Sequence, residues 1–322
     1  MNIRRRHAAQ GPQMAGDVRG LALVAAVSVV ALLAGGCSTS KKASFTSSKG
    51  KLQVVAAENF WGSIATQLAG DRAEVRSIIT NPNTDPHDYE PTAADGRSIA
   101  SAKFVIVNGI GYDAWASKAV AANPSSGRDV LNVGDLTGHR EGDNPHRWYF
   151  PEDVHKVVKT ITAGFKKLDP ADAGYFDQQE RHFEDVALKR YNALIAQIRT
   201  KYARTPVGAS ESIFVGIAEA TGLVLKTPAS FLKAISEGTD VTATDKSTVD
   251  NQVAKSQIKV FVFNSQNSTP DVQRLVNAAK AKGIPVATIT ETLTPAGATF
   301  EDWQAGQLQQ LLNALAKAVG KR

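Results

Sequence analysis

The chain has 322 residues, 43% hydrophobic and 21% charged, so it is long enough for about two domains with sizeable cores. This composition excludes wholesale disorder, a collagen-like fibre and a polytopic membrane protein, and the single Cys excludes an internal disulfide or a thiolate zinc cluster. The net charge of +6 is partly N-terminal, and the rest of the chain has no basic tract or aromatic-interleaved stripe, so nucleic acid is not an expected partner.

The N-terminal segment predicts export. An Arg-bearing leader precedes a mainly apolar run at residues 21–34, which is too short for the ~20 residues of a membrane-spanning helix. Small residues directly before Cys37 resemble a bacterial lipoprotein cleavage site. The resemblance implies a signal peptide at residues 1–36, a diacylglycerol lipid on Cys37 and anchoring to the outer face of the cytoplasmic membrane. The alternatives are an uncleaved anchor and a Cys that lies at this position by chance. Residues 37–51, rich in Ser and Lys, are typical of a flexible tether.

Short apolar runs alternate with helical patterns along the rest of the chain, an order typical of parallel strands joined by crossover helices. Eight strands are predicted in two groups, at residues 52–56, 75–80, 104–108 and 130–133, then at 206–209, 223–225, 259–263 and 285–289. Helical spacing is clearest at residues 60–68, 92–102, 112–121 and 271–281.

A longer pattern separates the two groups. Residues 171–203 contain no Pro and a single Gly, and apolar residues recur there at three- and four-residue steps, which predicts one helix of ~50 Å. The sequence therefore predicts the α/β class, with two lobes that are each a mainly parallel sheet flanked by helices, joined by one long rigid helix. The expected divisions are residues 52–169, 170–204 and 205–322. The alternative is an ordinary core helix inside one large domain.

Two of the six His share a context. His87 lies in Asp-Pro-His-Asp-Tyr and His146 in Asn-Pro-His-Arg-Trp. The Pro stiffens the loop, the preceding Asp or Asn can cap the turn, and the aromatic residue, Tyr89 or Trp148, can shield the imidazole from water. A stiff, half-buried neutral His is what a metal site requires. The alternative is a pair of turn-forming His with packing roles.

Polar residues follow several predicted strands. Open α/β sheets bind ligands at the carboxyl ends of their strands, and both Glu211 and Glu291 stand at such ends. Either Glu could instead be a neighbour of a helix N-cap. Asn264 and Gln266, after another strand, are expected to hydrogen-bond to ligand side chains and not to be ligands themselves. Glu58, at the end of the first strand, is a candidate pocket residue.

These motifs resemble the solute-binding proteins of zinc/manganese ABC importers. The resemblance covers residues 51–319 and is most specific at 85–92 and 144–148, while the closing stretch at 283–304 is similar to actinobacterial-type members. It implies two α/β lobes with a metal ion clamped between them by His87, His146, Glu211 and Glu291. The family's fourth ligand is usually Asp, so Glu291 departs from the pattern by one methylene group.

The resemblance also implies cargo and partners. The cargo is a divalent transition metal: two imidazoles and two carboxylates suit manganese, intrinsic affinity favours zinc, and iron stays open. Affinity is expected to fall in acid because protons compete for both His. The implied partners are the permease and ATPase of a metal importer and, through the lipid, the membrane. A monomer is expected.

Other classes of function stay open as alternatives. A His/His/carboxylate set could activate water in a metal-dependent hydrolase, but the sequence lacks HExxH, a Gly-x-Ser-x-Gly elbow and an obvious general base in the His motifs, so no enzyme is expected. A binder of an organic solute or metal chelate, or an adhesin on the same fold, is a further alternative. A chelate binder would have Arg or aromatic residues lining the cleft and would tolerate loss of His87, and the fold alone does not separate these functions.

Overall fold

The computed structural model describes residues 50–320. The predicted signal peptide, Cys37 and most of the predicted tether lie outside this range. The described chain contains two four-stranded parallel sheets flanked by helices, so the predicted fold class is confirmed. No helix among these residues has the length and apolar character to span a bilayer.

The first lobe is built on a sheet with the strand order β2-β1-β3-β4. Its strands are β1 (Leu52–Glu58), β2 (Ala73–Ile79), β3 (Phe104–Val107) and β4 (Asp129–Asn132). All of its neighbouring strands run parallel, and β1 and β3 are buried on both faces, as is usual where helices cover both sides of a sheet. The flanking helices are α1 (Asn59–Ala69), α2 (Ala93–Ser101), α3 (Ala114–Ala122), α4 (Val133–Thr137) and α5 (Pro151–Leu168).

The second lobe repeats this arrangement with the order β6-β5-β7-β8. Its strands are β5 (Pro206–Ala209), β6 (Val224–Leu225), β7 (Val260–Asn264) and β8 (Val286–Ile289). Each predicted strand of both lobes is present, with ends that differ by at most two residues.

The segment between the sheets is helical but not one uniform helix. A 3-10 turn (Pro170–Asp172) leads into α6 (Ala173–His182), a π-helical turn follows at Phe183–Ala187, and α7 ends the segment (Lys189–Tyr202). The predicted single helix at residues 171–203 is therefore wrong in its first turn and at the wide turn in its middle. The remaining helices are α8 (Val215–Thr221), α9 (Ala229–Ser236), α10 (Ala243–Ala254), α11 (Pro270–Ala281) and α12 (Phe300–Val319).

Local signals explain several helix starts. Thr92 accepts a hydrogen bond from the Asp95 backbone and forms a capping box, and Thr269 caps α11, whose first residue is Pro270. These caps supply acceptors for backbone N–H groups that would otherwise have no partner.

One core passes through both lobes. Its largest cluster of buried apolar side chains includes Trp61 of the first lobe and Phe214 and Trp303 of the second. The Tyr149 ring lies 5.9 Å from that of Trp303, and its hydroxyl donates to the Thr290 carbonyl at 2.8 Å. The carboxyl ends of the two sheets therefore meet across a partly apolar junction, beside which the polar residues described next are placed.

Candidate metal centre

The loop around His146 orients its imidazole. Asn144 Oδ1 accepts from the His146 backbone N–H at 3.1 Å and lies 2.8 Å from His146 Nδ1, while Asn144 Nδ2 donates to the Ser212 carbonyl at 2.9 Å. An amide oxygen only accepts, so Nδ1 carries the proton and Nε2 keeps a free lone pair. Nε2 lies 3.5 Å from Glu211 Oε1. The predicted cap by the residue before Pro145 is present, and it also sets the tautomer that metal binding through Nε2 requires.

His146 is neutral in this setting. The side chain is 1% exposed, and burial, followed by the charges of His87 and Arg147, lowers its pKa to about 3. Protons therefore compete for the His146 imidazole only at a lower pH than for an ordinary His, because burial disfavours the charged ring.

The two carboxylates stand at strand ends of the second lobe. Glu211 follows β5, and Glu291 follows β8. Asn264, the last residue of β7, donates through Nδ2 to Glu211 Oε2 at 2.7 Å and to Glu291 Oε1 at 3.0 Å. The carboxyl ends of three parallel strands thus bring two acidic groups and one amide to the same edge of the sheet.

Burial raises the pKa of both carboxyls. Glu211 is 1% exposed, and its pKa lies well above the usual value because of burial and then the nearby charge of Glu291. The pKa of Glu291 is also raised, mainly by burial, although hydrogen bonding to Glu211 and the charge of His87 oppose this. Glu211 Oε1 has no hydrogen-bond partner. Among the described residues no Lys or Arg pairs with either carboxylate, so Asn264 and the charge of His87 are what offset their burial.

His146, Glu211 and Glu291 form one cluster. Each offers a ligand atom, and these atoms lie within 4.8 Å of one another. Ligand atoms around a tetrahedral zinc ion lie about 3.3 Å apart, given metal–ligand distances of about 2.0 Å. A small contraction would therefore bring these three groups to coordinating distance of one divalent cation.

His87 lies outside this cluster. It is exposed on the loop between β2 and α2, where Asp85 Oδ1 accepts from its backbone N–H at 2.9 Å. His87 and Glu291 line the same cleft, which has a volume of about 900 Å³ and is bordered by both lobes. The structure thus assembles three of the four predicted ligands and leaves the fourth at the cleft beside them.

Tyr112 is a site residue that the sequence did not predict. Its ring centroid lies 5.0 Å from that of His87 and 6.0 Å from that of His146, and its hydroxyl lies 3.4 Å from Glu291 Oε2. The expectation that Tyr89 shields His87 is wrong: the Tyr89 hydroxyl donates to Asp95, and its ring packs on Trp115. The one signal for Tyr112 is its place just after β3, at the carboxyl edge of the first sheet.

The two remaining predicted pocket residues lie behind the site. Trp148 is fully buried, 5.2 Å from the His146 ring and stacked on Phe60 at 3.9 Å, so it supports the imidazole from behind. Glu58 is fully buried and does not line the cleft. Its pKa lies well above the usual value because of burial and the nearby carboxyl of Asp113.

Comparison with known families shows the family to which this chain belongs. The family model described as zinc-uptake complex component A, periplasmic, matches residues 54–314, which is most of the chain. The chain belongs to this family. Among curated proteins, the chain is similar to the manganese ABC transporter substrate-binding lipoprotein PsaA of Streptococcus pneumoniae. PsaA is 26% identical over 270 residues, which cover 78% of this chain and 83% of PsaA.

A second relative is the metal ABC transporter substrate-binding lipoprotein SsaB of Streptococcus sanguinis, 25% identical over 305 residues that cover 87% of this chain and 94% of SsaB. These relatives are named as substrate-binding proteins and not as enzymes, in line with the prediction that the chain is not an enzyme.

Solved structures share the two-lobe fold. A manganese-bound S38A variant of a periplasmic metal-binding protein from Candidatus Liberibacter asiaticus has a TM-score of 0.70 at 19% identity, covering 82% of this chain and all of that one. FpvC from Pseudomonas aeruginosa in complex with Mn²⁺ has a TM-score of 0.67 at 22% identity, covering 83% of this chain and 99% of that one. At these identities the likeness establishes the architecture.

Proposed function

We propose that this protein captures a single divalent transition metal ion between its lobes, with His87, His146, Glu211 and Glu291 as ligands, and delivers it to an ABC importer. The observation that carries the proposal is the largely buried cluster in which His146 Nε2 lies 3.5 Å from Glu211 Oε1 and Glu291 offers a second carboxylate within 4.8 Å, with no Lys or Arg paired to either carboxylate among the described residues. A cation there would relieve the cost of burying both acidic groups. The naming of relatives as substrate-binding proteins of metal transporters supports the same function.

Metal capture requires a local movement. His87 is exposed at the cleft, while the other three proposed ligands are already together, so the loop between β2 and α2 must bring the imidazole inward. Tyr112, which packs against the edge of His87, provides a surface along which the ring can approach. Four ligands contributed by both lobes then enclose the ion and leave no coordination position dedicated to substrate water, as a carrier requires and a hydrolase does not.

Manganese and zinc are the proposed cargoes. The two carboxylates can each bind through one or both oxygens, which allows the five or six ligands that manganese prefers. Zinc is expected to bind more tightly in vitro, since manganese has the lowest affinity in the Irving–Williams order. Cellular supply and not affinity would then select manganese. Iron fits the same donor set less specifically.

The delivery part of the proposal includes an anchor. A lipid on Cys37, after removal of residues 1–36, would hold the protein at the outer face of the cytoplasmic membrane with residues 37–51 as a tether. Lobes at residues 52–169 and 205–322, separated by residues 170–204, would present the loaded cleft to the permease as a monomer. Replacement of Cys37 by Ser should release the expressed full chain from the membrane fraction. Retention of that variant in membranes would contradict the lipid anchor.

The binding proposal is tested by calorimetric titration of metal-stripped residues 38–322 with Zn²⁺ and Mn²⁺ separately. One-to-one binding is expected for the wild type, with loss of at least about 100-fold in affinity for Glu211→Ala, because that change removes a ligand and a partner of Asn264. His182→Ala and Glu219→Gln are matched controls, since both side chains are exposed and neither lines the cleft.

Each outcome separates the candidate functions. Weak, multi-site binding that the Glu211→Ala variant retains would contradict the proposed site and favour an organic solute or a metal chelate as ligand. Turnover of a hydrolysable substrate by the metal-loaded protein would favour the hydrolase alternative. Metal capture is supported if both control variants bind metal as tightly as the wild type and Glu211→Ala does not.

A further inference from the structure

One side chain, Gln266, joins the strand end that carries Glu291 to the loop that carries His87. Gln266 is partly buried and follows β7. Its Oε1 accepts from the backbone N–H groups of Glu291 at 2.6 Å and Thr292 at 3.0 Å. Its Nε2 donates to Thr292 Oγ1 and to the carbonyl of Pro82, each at 2.9 Å. The amide thus uses both of its donors and its acceptor.

The contact with Pro82 crosses between the lobes. Pro82 belongs to the loop of residues 80–91, which begins after β2 and carries His87 five positions further on. Within residues 50–320, the Gln266–Pro82 bond is the one hydrogen bond that ties this loop to the second lobe. The loop's other hydrogen bonds, such as that between the Thr84 N–H and the Asn81 carbonyl, stay inside the first lobe.

The backbone of Gln266 also orients a third site residue. Its N–H donates to Asn264 Oδ1 at 3.0 Å, which turns Asn264 Nδ2 toward Glu211 and Glu291. The main chain of Gln266 therefore orients Asn264, which binds both carboxylates. Its side chain joins the loop that carries His87 to the segment that carries Glu291. A substitution of the side chain leaves the main-chain contact in place, so the two roles can be separated by experiment.

We propose that Gln266 is a positioning residue that latches the base of the His87 loop to the second lobe and thereby slows release of the bound metal ion. This inference rests on the proposed function, because it requires His87 to be a ligand. With Pro82 held, His87 reaches the other ligands by rearrangement of a few residues and not of the whole loop. Ordering the loop beforehand reduces the entropy lost on metal binding. It also slows the movement by which the loop would carry His87 away from the bound ion.

The test is a double-mutant cycle on the rate of metal release. Wild type, Gln266→Met, His87→Ala and the double variant of residues 38–322 are loaded with Zn²⁺ and mixed with excess EDTA, and release is followed by tryptophan fluorescence and by a zinc dye. Gln266→Met removes all four hydrogen bonds of the side-chain amide and should accelerate release at least about fivefold in the wild-type background, the factor that one net hydrogen bond contributes. In the His87→Ala background its effect should be clearly smaller, because only the contacts of Gln266 with the Glu291 and Thr292 amides then bear on a ligand.

Two results would overturn the latch. An equal acceleration by Gln266→Met in both backgrounds would mean that Gln266 acts through the Glu291 strand end alone. An unchanged rate in the wild-type background would mean that the link to Pro82 is without effect on release. By contrast, a wild type that releases metal as fast as His87→Ala would refute the ligand role of His87, and with it the proposed four-ligand site.

A second pair of variants guards against a folding defect in Gln266→Met. Gln266→Glu, studied at pH 8, where the new carboxyl is ionised, keeps an acceptor for the Glu291 and Thr292 amides and loses the donor to Pro82. Its added negative charge alone would slow release of a cation, so faster release supports the latch and slower or equal release overturns it. Thr292→Val is the matched control, since it removes the other acceptor of Nε2, keeps the shape of the side chain and should leave the Pro82 link and the coupling to His87 unchanged.

Discussion

His146 Nε2 lies 3.5 Å from Glu211 Oε1, and both residues are 1% exposed. The distance is long for a hydrogen bond, and the imidazole proton resides on the opposite nitrogen, toward Asn144. Two groups that can each donate an electron pair therefore face one another in a buried setting. Burying two such groups without a partner costs stability. Proteins accept this cost at functional sites, here one at which a cation can bind between the two groups.

The first prediction concerns the stability of the metal-free protein. Folding raises the pKa of Glu211 above its unfolded value, so the folded state binds this proton more tightly. The associated stability is fully present below the unfolded pKa and is lost as the pH rises through the folded pKa. Glu211→Gln, which cannot ionise, should therefore be more stable than the metal-stripped wild type at pH 8, by about 1 kcal/mol, and should lose less stability between pH 5 and pH 8.

Urea unfolding of both metal-stripped proteins at pH 5, 7 and 8 measures this difference. Glu219→Gln is the control, because Glu219 is exposed and its replacement should leave the pH dependence as it is in the wild type. Parallel stability curves for the wild type and Glu211→Gln would show that the buried carboxyl does not titrate within this range. The prediction further separates stability from function, since Glu211→Gln should gain stability and lose metal affinity.

The second prediction is the proton balance of metal binding. The pKa of His146 is lowered to about 3, so this ring carries no proton to release near neutral pH, whereas both carboxyls have raised pKa values. A metal ion binds the ionised carboxylates, and burial raises their pKa, so binding in acid should displace a proton from the carboxyl pair. Affinity should accordingly weaken as the pH falls from 7 to 5.

Calorimetric titrations in two buffers with different ionisation enthalpies give the number of protons released. Because that proton comes from the carboxyl pair, Glu291→Gln should reduce the number, whereas the His182→Ala control should not change it. A release that is the same for the wild type and Glu291→Gln would assign the proton to another group.

The third prediction concerns the support of the imidazole. Asn144→Leu should weaken metal binding by about 10- to 100-fold, because the Nδ1 proton loses the acceptor that fixes the tautomer and ring orientation. Asn144→Asp keeps an acceptor at the same place and should retain most of the affinity, although it loses the donor to the Ser212 carbonyl. Competition of each variant with a fluorescent zinc chelator measures the affinities. Equal losses in the two variants would indicate that the link to Ser212 matters more than the acceptor.

The sequence was sufficient for the sheets because each strand is a short apolar run bounded by polar residues, and for the strand-end placement of Glu211 and Glu291 because parallel strands end at a common edge. The caps by Asp85 and Asn144 followed from the Pro-His motifs, since they involve residues two apart. Interactions local in sequence, or set by the topology of a parallel sheet, were therefore predictable.

Interactions between distant segments were not predictable in the same way. Tyr112 contacts Glu291 from 179 residues away, and Gln266 reaches Pro82 from 184 residues away. No periodicity encodes such pairs, because they depend on how the two lobes meet. The π-helical turn at Phe183–Ala187 likewise leaves the three- and four-residue spacing almost intact, so apolar periodicity alone does not reveal it.

The last prediction tests the close junction between the lobes near His146. A Cβ added at Gly216, in α8, would meet the Tyr149 carbonyl and the Phe150 ring, which belong to the segment directly after the His146 motif. Gly216→Ala should therefore destabilise the protein by about 2 kcal/mol and weaken metal binding, because the segment must shift to admit the methyl group. Gly174→Ala, in α6, is the matched control: nothing lies within 4 Å of its added Cβ, and Ala favours helix, so stability should rise by up to about 1 kcal/mol with metal affinity unchanged. Urea unfolding and zinc titration of both variants measure the changes in stability and in metal affinity. A Gly216→Ala protein as stable as the wild type would show that the junction accommodates the methyl group without loss of stability.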